Sequence, residues 1–288
     1  MSNDVRGEIR KVAVLGAGTM GNGIAQVCAT AGMEVAMRDV EPSFLERGLA
    51  QIDKSLAKLV EKNVLSAGDR DAARARIHTT TELEAAVADA DLVVEAIPER
   101  MELKIETFAL LGKHAPKHAI LGTNTSSLSV TEIAAASGDA ARVVGLHFFN
   151  PVPLMKLLEI VRGLSTADAT VEAARAFAAR IGKEPIVVKD FPGFATSRLG
   201  VILGVEAIRM LESGVASAED IDKAMKLGYR HPMGPLELGD LVGLDVRLAI
   251  LDHLHKELGE QFRPPALLRQ MVRAGKLGRK TGEGFYKY

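Results

Sequence analysis

Residues 11–15 read Lys-Val-Ala-Val-Leu, and Gly16-Ala17-Gly18-Thr19-Met20-Gly21 follows directly. A short β-branched run that feeds a glycine turn and then an apolar stretch through Ile24, Val27 and Cys28 is a strand–turn–helix unit of a parallel sheet. The glycines have separate tasks in such a unit. Gly16 makes the tight turn, Gly18 lets backbone approach a pyrophosphate, and Gly21 lets the helix pack close to the strand. The helix start then offers unpaired N–H groups and a positive dipole to phosphates. Asp39 closes the next strand, eighteen residues after Gly21. A carboxylate there accepts hydrogen bonds from ribose hydroxyls and repels a 2′-phosphate, which favours NAD over NADP. Its neighbour Arg38 could face a 2′-phosphate if Asp39 turned away, so the cofactor preference stays open on this evidence.

The same texture continues to about Lys189. Strands are expected at Lys11–Leu15, Glu34–Arg38, Ile77–Thr79, Leu92–Ala96, Ala119–Gly122, Val143–Leu146, Leu157–Val161 and Ile186–Val188, with helical patterns between them. Leu45, Leu49, Ile52, Leu56 and Leu59 recur at spacings of four and three, which gives one helix with a buried stripe. Ser129-Val-Thr-Glu132 has capping-box spacing for a later short helix. After Asp190-Phe-Pro-Gly the strand signal fades, and residues 196–213, 218–227, 236–258 and 265–274 read as helices. The expected architecture is α/β: a Rossmann-type doubly wound sheet over residues 1–189, then an all-helical second domain over residues 190–288.

Composition excludes several classes of function. The 288 residues carry a net charge of −1, so there is no basic footprint for nucleic acid or an anionic membrane surface. No uncharged run approaches the length of a membrane span, and the amino terminus shows no signal-peptide pattern. The single cysteine, Cys28, excludes an intrachain disulfide and fits a reducing compartment, so a cytoplasmic location is expected. It lies in an apolar helical segment and reads as packing rather than as a nucleophile. No metal-ligand cluster is expected.

His147 and Glu159 bracket the segment His-Phe-Phe-Asn-Pro-Val-Pro-Leu-Met-Lys-Leu-Leu-Glu. His147 stands at the carboxyl end of a predicted strand, where doubly wound sheets place their ligands. Glu159 falls in the next apolar run, which can return antiparallel alongside. A histidine held by a carboxylate has a fixed tautomer and a stabilised imidazolium, so it can remove a hydroxyl proton as hydride leaves a secondary alcohol. Spacing alone also allows a histidine satisfied by a backbone carbonyl and a surface glutamate.

Asn124-Thr-Ser-Ser-Leu-Ser, the His147 segment, Asp190-Phe-Pro-Gly-Phe and the closing Gly278-Arg-Lys-Thr-Gly-Glu-Gly-Phe-Tyr together resemble the L-3-hydroxyacyl-CoA dehydrogenase family, in order and over essentially the whole chain. The resemblance is strongest to its stand-alone 3-hydroxybutyryl-CoA members. It implies NAD-dependent oxidation of a 3-hydroxyacyl-CoA thioester, reversibly and within fatty acid metabolism, by a Rossmann domain followed by a helical domain that usually dimerises. His147 would be the general base and Glu159 its orienting carboxylate. Ser126 would bond the substrate oxygen near both cofactor and thioester. Glu99, Lys104, Asn150 and Lys280 match cofactor-site positions, and Ser55 and Lys62, seven apart on one expected helix, match positions that contact coenzyme A.

Ser197 stands where the family often has asparagine, which bears on substrate positioning. Two other readings stay open. One is a related dehydrogenase of a free hydroxy or sugar acid, and the other a non-catalytic NAD-binding protein of the same fold.

Overall fold

The structure is a computed structural model and describes residues 8–288. Eight strands form one sheet: β1 (Lys11–Leu15), β2 (Glu34–Arg38), β3 (Ile77–Thr80), β4 (Leu92–Glu95), β5 (Ile120–Thr123), β6 (Val143–Phe148), β7 (Leu157–Arg162) and β8 (Glu184–Lys189). Their order is β3-β2-β1-β4-β5-β6-β7-β8. The first six are parallel, with the order reversing between β1 and β4; β7 runs antiparallel to β6, and β8 parallel to β7. The first six strands have the order of a dinucleotide-binding sheet, whose crevice opens at the carboxyl ends of β1 and β4.

Seven helices accompany the sheet: α1 (Thr19–Thr30), α2 (Pro42–Glu61), α3 (Ala67–Ala75), α4 (Leu83–Val87), α5 (Met101–His114), α6 (Val130–Ala136) and α7 (Asp168–Arg180). Two apolar clusters flank the strands. Val12, Val14, Leu92 and Val94 pack with Ile24, Ile52, Leu56 and Phe177 of α1, α2 and α7. The alternate residues Ala13, Leu15 and Val93 pack with Val87, Phe108, Leu111 and Ile133 of α4, α5 and α6. Burial on both faces is why these strands read as unbroken apolar runs rather than as alternating patterns. Ser129 caps α6, its Oγ accepting from the Glu132 N–H at 3.2 Å, as the capping-box spacing suggests. The Ser129 hydroxyl also donates to Asp190 at 2.9 Å.

The first compact unit ends at Asp190, and a second runs from Phe191 to Tyr288. The second unit is helical: α8 (Thr196–Glu212), α9 (Ala218–Gly228), α10 (Pro235–Val242), α11 (Leu244–Leu258) and α12 (Ala266–Arg273). Its own core includes Val205, Leu236, Leu244, Leu251, Leu254, Phe262 and Leu268.

Two expectations need correction. The single helix over residues 236–258 is two helices, because Gly243 has φ +106° and turns the chain between α10 and α11. The apolar period runs through the glycine and so hides the break. The bend lets buried Asp240 near the end of α10 accept the Phe285 and Tyr286 N–H groups, at 3.0 and 2.9 Å, and so hold the closing segment. The other correction concerns Lys62, which is not on the same helix as Ser55. α2 ends at Glu61, and Lys62 is the cap residue beyond it.

Candidate active site

The carboxyl ends of β1, β2 and β4 build the nucleotide cleft. Gly16 has φ +103°, and a Cβ on Gly21 would collide with the Gly16 carbonyl oxygen, so the turn and the close start of α1 both require glycine. No atom lies within 4 Å of where a Cβ on Gly18 would stand, so the backbone there faces open space. The α1 start has no side-chain cap and no acidic residue in its first turn, which leaves its N–H groups and dipole to a ligand anion. Asp39 accepts from the Ala17 N–H at 2.7 Å and from the Val40 N–H at 2.7 Å, which fixes its carboxylate beside the turn. A cavity of about 820 Å³ runs from Gly16, Gly18 and Asp39 to apolar walls that include Ile97, Leu103 and Leu110. Its polar end suits a ribose and phosphates, and its apolar end a flat base.

β6 and β7 bring a histidine and a carboxylate together. His147 and Glu159 are direct partners in the antiparallel ladder. Directly opposed residues have their side chains on one face of the sheet, only ~4.5–5.5 Å apart at Cβ. The His147 Nδ1–H donates to Glu159 Oε2 at 2.8 Å, with Glu159 fully buried and His147 7% exposed. The Phe149 ring lies 4.4 Å from the imidazole, centroid to centroid, and limits its rotation. The intervening loop is held from beneath. Buried Lys183 donates to the carbonyls of Val152 and Met155 at 2.5 and 2.6 Å, and burial pushes its amine below the usual lysine range. Asn150 of this loop shares a cleft of about 290 Å³ with Thr19 and Ser55.

Ser126 follows β5. Glu99 Oε1 accepts from the Ser126 N–H at 2.8 Å, from its hydroxyl at 3.2 Å and from the Thr125 hydroxyl at 2.6 Å. Glu99 Oε2 lies 3.4 Å from Lys104 Nζ, which donates to Glu95 Oε1 at 2.7 Å. Glu95 and Lys104 are fully buried. Losing one partner of such a pair costs about 3–5 kcal/mol, because the other charge stays in the interior.

The structure thus brings together His147 with Glu159, Ser126 with Glu99 and Lys104, Ala17 with Asp39, and Asn150 with Ser55. Lys62 is exposed and lies outside both clefts. Lys280 and Ser197 belong to the second unit, where Lys280 donates to both Asp245 oxygens, at 2.6 and 2.7 Å, and Ser197 sits in the first turn of α8. Burial pushes the Cys28 thiol up to about 12, which leaves negligible thiolate at neutral pH. Among the described residues no group of three metal-ligating side chains occurs.

Sequence reasoning missed Glu95, Thr123 and Lys183. For Glu95 a signal existed: a charge closing the strand Leu-Val-Val-Glu, in a sheet buried on both faces, needs a buried partner.

A dinucleotide cleft at a switch point, joined on the same sheet to a carboxylate-held histidine, defines an oxidoreductase. Comparison with known proteins narrows the class. Residues 11–191 match the 3-hydroxyacyl-CoA dehydrogenase NAD binding domain, and residues 193–288 match the C-terminal domain of the same family. A probable 3-hydroxybutyryl-CoA dehydrogenase of Deinococcus radiodurans is 50% identical, over 96% of this chain and 100% of that one. The 3-hydroxybutyryl-CoA dehydrogenase of Bradyrhizobium diazoefficiens is 47% identical, over 97% and 96%. The crystal structure of (S)-3-hydroxybutyryl-CoA dehydrogenase from Ralstonia eutropha superposes with a TM-score of 0.94 at 44% identity, over 98% and 99%. The chain belongs to the 3-hydroxyacyl-CoA dehydrogenase family.

Proposed function

We propose that the protein interconverts (S)-3-hydroxyacyl-CoA and 3-oxoacyl-CoA with NAD, acting on short chains such as 3-hydroxybutanoyl-CoA in fatty acid metabolism. The observation that carries this reading is the 2.8 Å His147–Glu159 pair on the carboxyl side of the cofactor sheet. The residues of the first unit fit a dinucleotide: open backbone at Gly18, a positioned carboxylate at Asp39 and a base-sized apolar recess. NAD, when bound, supplies the hydride acceptor for the hydrogen on C3.

With Nδ1 engaged by Glu159, proton exchange falls to His147 Nε2, which takes the 3-hydroxyl proton as the C3–O bond becomes a carbonyl. Glu159 stabilises the resulting imidazolium. In the reverse direction the imidazolium returns that proton to the 3-oxo oxygen. Ser126 polarises the reacting oxygen. Thr19, Met20, Glu99, Asn150 and Lys280 hold the cofactor, while Ser55, Lys62 and Ser197 contact the coenzyme A thioester; Lys104, fully buried, acts on the cofactor site only through Glu99.

The second unit would serve substrate binding and dimerisation. Leu199 and Leu203 of α8, and Leu241, Val242 and Val246 of α10 and α11, are exposed apolar side chains, which supports burial against a second copy. A cytoplasmic location is supported by the single buried cysteine. Among the described residues no helix is long and apolar enough to cross a membrane.

The test is a steady-state assay with NAD and NADP against acyl-CoAs of increasing length and against free 3-hydroxybutanoate, with His147→Gln alongside. Turnover of the short thioester with NAD, falling about 10²–10⁴-fold in a folded His147→Gln protein, is expected. Turnover of the free acid alone, or undiminished turnover in the variant, would overturn the reading.

A further inference from the structure

We propose that Glu95 is a positioning residue for the reaction, acting through Lys104 and Glu99 to set the orientation of Ser126. The proposal rests on the role given to Ser126 above.

The chain of contacts is continuous. Glu95 closes β4 and is fully buried: Oε1 accepts from the Ile97 N–H at 2.9 Å and from Lys104 Nζ at 2.7 Å, while Oε2 accepts from the Thr123 hydroxyl at 2.7 Å. Thr123 closes β5 and is also fully buried, so Glu95 ties two neighbouring strand ends together. Lys104, from α5, points its ammonium between two carboxylates: buried Glu95 and, at 3.4 Å, the partly exposed Glu99. Glu99 then receives both the N–H and the hydroxyl of Ser126 on a single oxygen. One ammonium thus lies between two carboxyl groups, and the more exposed of the two is the one that Ser126 contacts.

Stability alone gives a poor account of this arrangement. A buried ion pair stabilises little compared with well-packed apolar side chains, but it is specific in geometry, because each charge must meet its partner. Neutralising Glu95 would let Lys104 move wholly toward Glu99. That draws the Glu99 carboxylate off the position where it holds Ser126. Ser126 would then lose the anchor on its N–H, from which the hydroxyl turns its one proton away from Glu99 and onto the reacting oxygen, although neither Glu95 nor Thr123 touches substrate.

The test is a double-mutant cycle in the full-length protein, read as kcat with NAD and 3-hydroxybutanoyl-CoA well below the melting temperature. Glu95→Gln is expected to lower kcat about tenfold in the native background and less than twofold in a Ser126→Ala background, since the serine it aligns is gone. Thr123→Val, which removes one hydrogen bond and no charge, is the milder arm should Glu95→Gln fail to fold. It is expected to lower kcat about threefold in the native background and not in Ser126→Ala. Equal losses in both backgrounds, or no loss in either, would overturn the proposal. If Ser126→Ala alone keeps full turnover, the role of Ser126 falls first, and the two failures are told apart.

Discussion

Arg38 and Asp39 are adjacent in the chain yet serve different partners. The Arg38 Nε–H donates to the Thr81 carbonyl at 2.9 Å, toward the end of β3, whereas the Asp39 carboxylate accepts from the Ala17 N–H inside the glycine turn. The guanidinium spends its Nε–H on the protein itself, and the carboxylate is fixed beside the glycine turn. This supports the NAD reading of the two that the sequence left open.

A first prediction follows for cofactor choice. The native protein should use NAD in strong preference to NADP. Asp39→Ser should narrow the ratio of kcat/KM values by about a hundredfold, from loss of ribose contacts and of repulsion toward the 2′-phosphate. Paired kinetics with both cofactors check this, and an unchanged ratio would remove Asp39 from the site.

Glu159 should matter for turnover more than for cofactor affinity. Glu159→Gln keeps the side-chain volume opposite His147 but cannot stabilise an imidazolium by charge, and kcat should fall about 10²-fold. The dissociation constant of NADH, read by fluorescence titration, should stay within a few-fold of the native value. Parallel losses in both would indicate a disrupted β6–β7 ladder rather than a failed proton transfer.

Asp91 gives a pH-dependent stability term. It precedes β4 and accepts the N–H groups of Arg10 and Lys11 at 2.8 and 2.9 Å, which ties the start of β1 to its neighbour. Burial pushes the carboxyl up, but those two donors and His118 outweigh it and hold it below its ordinary value of 3.8. A lowered folded value means that the stabilisation is fully present above pH 3.8 and is lost as pH falls through the folded value. Asp91→Ala should therefore cost about 1–2 kcal/mol at pH 7, and the difference from native should shrink below pH 3.8 in denaturant titrations. A difference that is constant with pH would rule out the carboxylate as its source.

Legible from the residues alone were the strand–turn–helix unit at Gly16–Gly21, the succession of eight strands along the chain, the change of texture after Asp190 and the candidacy of His147 and Glu159. These are local patterns of side-chain period, turn chemistry and motif spacing, and they are written in consecutive residues. That His147 and Glu159 are ladder partners came from the fold, because register depends on how two strands pair across a loop. The fold also decided that the apolar period of residues 236–258 breaks at Gly243, where a closing segment from far along the chain must be held. The line from Thr123 and Glu95 through Lys104 and Glu99 to Ser126 joins two strand-end segments and a helix. Electrostatics demands that buried charges be paired but does not say with whom, and only packing in three dimensions supplies the partner.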